Sequence, residues 1–403
     1  MTEPVSVGTA KAERGTIQYG RWGALGHPTG NGEFLPIILA QGKEEGPCLW
    51  LTAGIHGPEQ AGPAVLYRLI TQELVDQMRG TIVAIPALNP AGLRMGERQP
   101  HHAGKDPNRL WPDGKPPQPA DPDREPPTSL ERAYKRLYDE IVASADYLID
   151  YHNAWTGSIP FSFRDRVLYR GDGSEEEVGQ RKAEAEALSE KQEEMLRAFG
   201  LTIVREFPAE KYIEEDLHRS TSAAVLLLDQ MPAFTVELGT GHMPDAAIVR
   251  AAVAGTRNVM RWAGMLRGEM EPIEGVPVID SGYPVRRCMT PRVEQACVVL
   301  HLVEPGDIVQ KGDPVAEVRD VWGRPMGDGL LRAEYDGFVM GRSHGIYYYP
   351  GNAVLGMAVR DEAPLVAPYP ADFFQEPAKE EPSSEPGIAP AEVPADMADV
   401  PRA

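Results

Sequence analysis

Cysteine is scarce: Cys48, Cys288 and Cys297 are all that 403 residues contain, and no two are spaced C-x-x-C. An odd, widely spaced set speaks against a disulfide framework and against a thiolate zinc site. Long apolar runs are missing too. None approaches the ~18 uncharged apolar residues of a membrane span, and the N-terminal MTEPVSVGTAKAERG lacks the apolar core of a secretory signal. Positive charge is in the minority, with 40 Lys and Arg against 60 Asp and Glu and a net charge of −20. Phosphate backbones are neutralised by Lys and Arg, so this balance argues against a general nucleic-acid binder. A soluble cytoplasmic protein without nucleic-acid or membrane partners is the expectation, and at ~150 residues per domain the length suggests two to three domains.

Proline and charge are unevenly spread. Residues 363–403 hold nine of the 38 prolines and eight acids against Lys379 and Arg402. Such a stretch buries too little apolar surface to offset chain ordering, so it reads as a disordered acidic tail. That leaves −14 on the preceding 362 residues. A second stretch, Pro112–Pro127, has seven prolines in 16 residues between patterned segments. It reads as a surface loop or a functional one.

Up to about Gly268, short apolar runs alternate with helical patterns. Strands are expected at Pro47–Ala53, Thr81–Leu88, Tyr147–Tyr151 and Ala233–Leu238. Helices are expected at Glu59–Met78, Ser129–Ala145, Ser174–Phe199 and Asp245–Leu266. This alternation implies an α/β sheet covered by helices on both faces. After Glu271 the pattern becomes all-β, with turns at Glu304-Pro-Gly-Asp, Lys311-Gly-Asp and Asp336-Gly. The expected organisation is an α/β domain over 1–270, a smaller β domain over 271–362, and the tail over 363–403.

The chemistry gathers at the expected strand ends. Pro47–Ala53 runs into Gly54-Ile55-His56-Gly57-Pro58-Glu59, an H-x-x-E pair that can offer an imidazole and a carboxylate to one zinc, with glycines for a tight turn. A catalytic zinc needs a third ligand and keeps a fourth position open for water. Strand YLIDY ends in His152-Asn153, and strand AFTVEL carries Glu237. Ligands of open α/β sheets collect outside the carboxyl ends of strands. A second H-x-x-E, His301-Leu-Val-Glu304, opens a turn in the β region and lacks such company.

Next come Asn89-Pro90, Arg94, Arg98 and Asp106-Pro-Asn108-Arg109-Leu-Trp111-Pro112. Arg109 beside a side-chain amide is suited to a carboxylate, which a guanidinium fork holds in bidentate fashion. Arg98 has the chemistry to polarise a carbonyl and hold the oxyanion formed on it. Arg94 and Arg98 are equally at home on a solvated surface.

GIHGPE, the NP…R…DPNRLWP stretch, the His of DYHN and the Glu of VELG together resemble the succinylglutamate desuccinylase/aspartoacylase family, within the zinc metallocarboxypeptidase superfamily. The resemblance runs in order over roughly residues 45–360. It implies a mixed sheet flanked by helices, zinc-carboxypeptidase-like, with a small β domain near the active-site mouth. It also implies one zinc per chain held by His56, Glu59 and His152, with Glu237 as general base and acid. Arg98 resembles the carbonyl-polarising arginine, and Asn108 with Arg109 the substrate-carboxylate clamp. The family's usual Asp-Leu-Asn-Arg reads Asp106-Pro107-Asn108-Arg109 here. EPGDIVQKGDPVAEV and the later DGFVM resemble a biotinyl/lipoyl-like barrel sandwich, without the hairpin lysine a carrier needs.

The expected activity is therefore zinc-dependent hydrolysis of a small N-acyl amino acid to a carboxylic acid and a free amino acid. A metallocarboxypeptidase trimming short peptides and a non-catalytic zinc-binding scaffold are the alternatives. A capping β domain favours the first, and an intact Glu237 speaks against the scaffold. Self-association is implied only by the family likeness.

Overall fold

The computed structural model describes residues 5–116, 125–155, 157–239, 241–343 and 345–374. The chain forms two compact units, Met1–Pro370 and Ala371–Ala403. Nearly all of the second unit, 375–403, lies outside the described residues, as does the middle of the Pro112–Pro127 stretch.

The first unit is built on a mixed sheet. Side by side lie Thr202–Arg205, Phe161–Arg164, Ala233–Glu237, Tyr147–His152, Glu44–Ala53, Arg79–Ile85, Gly32–Gln41 and Thr16–Gly26. The four strands from Ala233–Glu237 to Arg79–Ile85 are mutually parallel. Phe161–Arg164 runs against them, as does Gly32–Gln41 at the other side. The expected α/β sheet is thus present, with antiparallel strands added at both flanks.

Period-two alternation sends successive strand residues to opposite faces. Leu49, Leu51 and Ala53 join one buried cluster, with the Ala61–Leu69 and Ala246–Trp262 helices. Trp50 joins the other, with Leu130, Tyr134, Leu137 and Ile141 of the Ser129–Val142 helix. Each such aliphatic side chain contributes roughly 1.5–3 kcal/mol by leaving water.

Local chemistry sets the element ends. Ser174 and Glu177 form a reciprocal capping box at the start of Glu175–Phe199, and Gly200, left-handed at φ 88, ends it. The helix expected over Glu59–Met78 is two helices, Ala61–Leu69 and Gln72–Gln77. Ile70 is extended, and the Thr71 side chain accepts from the Leu74 amide to start the second. A local capping bond thus breaks the longer apolar period.

Residues 285–360 are all-β, in two sheets sharing a core of Val299, Val315, Val339, Leu355 and Met357. One sheet comprises Pro325–Arg332, Pro314–Arg319, Cys297–His301 and Tyr347–Tyr348. The other, containing Val285–Met289, Leu355–Arg360, Gly337–Arg342 and Ile308–Val309, continues the main sheet. The link is the parallel pairing of Arg205 with Arg286. The β region is therefore an extension of the α/β sheet within one compact unit. Residues 363–370, read from the sequence as the start of the tail, also belong to it. Val366–Pro368 is a strand paired with Val167–Tyr169, and the buried Arg166 donates to the Ala363 and Pro364 carbonyls. Partners distant in sequence order this proline-rich segment.

Candidate active site

Backbone geometry fixes the His56–Glu59 loop first. Gly54 is left-handed at φ 67, and a Cβ on Gly57 would meet the Gly92 and Glu97 carbonyl oxygens at 2.1 and 2.3 Å. The loop therefore packs its backbone against the segment that follows Asn89. Asn89 accepts from the Gly92 amide, starting the Pro90–Met95 helix, and donates to the Ile55 carbonyl at 3.1 Å.

On this frame the Glu59 carboxylate is shared by two imidazoles. His56 Nδ1 lies 2.8 Å from Oε1 and His152 Nδ1 2.9 Å from Oε2. The remaining ring nitrogens are held by aspartates. His56 Nε2 is 2.9 Å from Asp106 Oδ1, and His152 Nε2 is 2.9 Å from Asp150 Oδ2. Asp150 is fully buried and accepts from the Thr52 hydroxyl at 2.7 Å. Burial pushes the Glu59 carboxyl up, but the two imidazoles outweigh it and hold the group well below the usual carboxylate range. Burial pushes His152 down, yet Asp150 and Glu59 hold it well above the usual imidazole range.

These donors suit a divalent cation. Ligand atoms of His56, Glu59 and His152 all lie within 4.8 Å of one another. With a cation on the two Nδ1 atoms, Asp106 and Asp150 would be placed to accept from the Nε2–H of each ring. Two imidazoles and one carboxylate are a zinc donor set with room for a fourth ligand. A second group, His27, Glu33 and His102, has the same spacing outside this cavity, with Arg94 donating to Glu33.

His56, Glu59, Arg98, Asn108, Arg109, His152 and Glu237, the residues singled out from the sequence, all line one cavity of about 360 Å³. Glu237 is the Cα partner of His152 on the adjacent parallel strand. Its Oε2 is buried without a hydrogen-bond partner among the described residues. Burial, opposed by His152 and reinforced by Glu59, pushes its carboxyl up to about 7. Asp106 caps a 3-10 turn over Pro107–Arg109, accepting from the Asn108 amide at 2.9 Å. Pro107 is well placed there, since the first position of a helical turn needs no N–H donor. The amide oxygen of Asn108 is taken by the Thr221 N–H and hydroxyl, and its Nδ2 stands 3.4 Å from His152 Nε2.

The two arginines differ. Arg98 donates to Asp106 Oδ2 through Nε and Nη2, at 3.1 and 2.7 Å, and its Nη1 is 3.5 Å from Glu59 Oε1. Arg109 donates to the carbonyls of Glu215 and Asn108. The other H-x-x-E pair stands outside the cavity lining, with Glu304 paired to Arg342.

Among the lining residues that escaped the sequence reading are Asn153, Asp165, Glu206 and Arg287. Asn153 donates to the Gly239 and Gly241 carbonyls and accepts from the Ala61 amide, while its backbone N–H reaches Glu59 Oε2. It ties three loops at the strand ends. Its place directly after His152 was the only signal. Arg287 comes from the β region and pairs with Glu206 at 3.0 Å. No spacing along the chain marks that meeting.

The model of the succinylglutamate desuccinylase/aspartoacylase catalytic domain matches residues 45–166. A deacetylase of N-alpha-acetyl-L-2,4-diaminobutyric acid from Halomonas elongata is 24% identical over 326 residues, 80% of this chain and 82% of that protein. The product-bound ectoine utilization protein EutE (DoeB) from Ruegeria pomeroyi superposes with a TM-score of 0.67 at 21% identity, over 89% of this chain and 99% of that one. A succinylglutamate desuccinylase from a Silicibacter species gives 0.64 at 19%, over 89% and 100%. These two likenesses are of fold. Glu237, Glu206 and Arg287 lie beyond the matched residues, while both histidines, Glu59 and the Asn108-Arg109 pair lie within them. The match to the succinylglutamate desuccinylase/aspartoacylase catalytic domain over residues 45–166 thus takes in His56, Glu59, His152 and the Asn108-Arg109 pair.

Proposed function

We propose that this chain is a zinc-dependent amidohydrolase that deacylates a small N-acyl amino acid, releasing a carboxylic acid and the free amino acid. One observation carries the reading. Two imidazole Nδ1 atoms converge on one carboxylate, each backed by an aspartate, in a cavity that also contains a buried carboxyl with an unpartnered oxygen. The diaminobutyrate deacetylase and the family match support the same reaction class.

His56, Glu59 and His152 would hold one zinc, which supplies Lewis acidity and acidifies water when bound. Glu237 takes the proton of the attacking water as its oxygen bonds to the acyl carbon. When the C–N bond breaks, the same carboxyl returns that proton to the departing nitrogen. A carboxyl poised near neutrality suits both directions of transfer, and burial brings Glu237 there. Arg98 faces the oxyanion formed on the acyl carbonyl. Asn108 Nδ2 and Arg109 hold the α-carboxylate of the amino-acid half and so fix the amide in the cavity. The β region, through Arg287, closes part of the mouth.

The test is hydrolysis by the purified, zinc-loaded chain of a panel of N-acyl amino acids beside peptides with free C-termini. Turnover confined to the acyl amino acids supports the deacylase. Turnover of the peptides moves the reading to a carboxypeptidase, and none on either, with zinc bound, to a scaffold.

A further inference from the structure

Most charges lining the cavity are met by counter-charges or carbonyls, whereas Glu237 Oε2 and Asp165 Oδ2 are both buried without a hydrogen-bond partner among the described residues. Arg98 is taken by Asp106 and Glu59, Glu59 by its two imidazoles, and Arg287 by Glu206. Among the described residues Asp165 has no counter-ion within hydrogen-bond reach. It is 5% exposed and accepts one bond, from the Tyr212 hydroxyl at 2.9 Å. Its Oδ2 is buried without any hydrogen-bond partner among the described residues. A second carboxylate, Glu206, 4% exposed, lines the same end of the cavity. Burial and the Glu206 charge push the Asp165 carboxyl up to about 7, against the Tyr212 hydrogen bond and the Arg287 charge, which pull it down.

This pair is firmly built. The fully buried Arg166 donates to the Glu206 and Phe207 carbonyls at 2.8 and 2.9 Å and is itself paired with Asp361 at 3.0 Å. Arg287 lies over the Phe163 and Phe207 rings, 5.0 and 4.3 Å from their centroids, and reaches Glu206 from there. It acts on Asp165 through its charge alone, and Asp165 Oδ2 takes no hydrogen bond among the described residues. Phe163 and Leu217 supply apolar wall.

The site also has a direction. Glu237 pairs across the ladder with Phe161, and the antiparallel strand Phe161–Arg164 ends one residue before Asp165. At ~3.3 Å per residue that strand alone separates Phe161 from Arg164 by about 10 Å. The cavity thus takes in both the imidazole–carboxylate cluster and, past the end of this strand, the acidic pair.

We propose that Asp165, with Glu206 beside it, is the specificity-determining subsite for a cationic side chain, so that the amino-acid half of the substrate ends in a primary ammonium. The assignment rests on the deacylase reading for its reaction and on the acidic end of the cavity for its ligand class. An ammonium there donates to Asp165 Oδ2, supplies the missing charge, and keeps its alkyl chain against Phe163 and Leu217. An acidic side chain would meet two buried carboxylates, and a neutral one would leave Oδ2 unpartnered, which is costly for a buried acceptor.

The test compares kcat/KM of the zinc-loaded chain for N-acetyl derivatives of 2,4-diaminobutyrate and ornithine with those of their uncharged isosteres, norvaline and norleucine, and of aspartate. The ammonium compounds should lead by about 10- to 100-fold, the range set by one hydrogen bond to a charged group. In Asp165→Asn the ammonium-to-neutral ratio should fall towards one, mainly through KM, and in Glu206→Gln by less. Equal wild-type turnover of neutral and ammonium compounds overturns the subsite while leaving the deacylase standing. A preference that survives in Asp165→Asn overturns the assignment of the residue. Calorimetry with free 2,4-diaminobutyrate and norvaline reads the same preference without turnover, so it separates loss of the subsite from loss of the reaction. Circular dichroism of both variants checks that they are folded, because Asp165 also anchors Tyr212.

Discussion

His152 and Glu237 are direct partners on adjacent parallel strands, so an imidazole and a carboxyl with one buried, unpartnered oxygen leave the sheet at the same level. Neither position is adjustable without moving a central strand. This pair is thus held by the backbone ladder, while His56, Glu59, Asn108 and Arg109 come from the segments between strands.

Glu237→Gln keeps the shape and removes the base. We expect kcat to fall by about 10²- to 10⁴-fold, with one zinc per chain retained by elemental analysis. Undiminished turnover would place the proton transfer on another group.

The aspartates behind the histidines should matter to metal affinity. Asp106→Asn and Asp150→Asn each replace a carboxylate that stands 2.9 Å from an imidazole Nε2, and each should weaken zinc binding by about 10- to 100-fold. Competition with a coloured chelator measures this. Unchanged affinity in both variants would show that the rings are oriented by packing alone.

Gly57 has no room for a side chain. Gly57→Ala drives a Cβ into the Gly92 and Glu97 carbonyls and should cost about 1–3 kcal/mol. The loop between His56 and Glu59 must then shift, so the urea midpoint and zinc occupancy should fall together.

Arg287→Gln tests whether the β region takes part in the site. It removes a cation from the cavity wall and leaves the buried Glu206 without its partner. KM should rise by about tenfold or more, as read from initial rates on a hydrolysed acyl amino acid.

Metal-free protein should lose stability as pH rises towards neutrality. Burial pushes Asp165 and Glu237 up to about 7 in the folded chain, whereas unfolded carboxyls release protons near pH ~4. Between those values the folded state binds more protons, so unfolding free energy falls with pH. The raised His152 acts in the same direction above about pH 6.5. Urea midpoints of chelator-treated protein from pH 5 to 7.5 should decline, less steeply in Asp165→Asn. A parallel decline in both proteins would remove Asp165 from the explanation.

Local chemistry alone made much of this protein readable. Strand runs such as PCLWLTA and helices such as Glu175–Phe199 follow from periodicity and caps that involve neighbours in sequence. The cluster residues could be singled out because His56, Glu59, His152 and Glu237 each sit where an apolar run ends, and sheets gather such ends in one place. What the tertiary structure decided involves partners far apart in the chain. Residues 363–370 are proline-rich and look solvated, yet Val167–Tyr169 and Arg166 order them. The β region reads as a separate domain but continues the main sheet through Arg205 and Arg286. Asp165, Glu206 and Arg287 follow no motif, and only folding brings them to one cavity. The sign of a buried carboxyl's pKa shift depends on those neighbours, so charge counted along 403 residues does not reveal it.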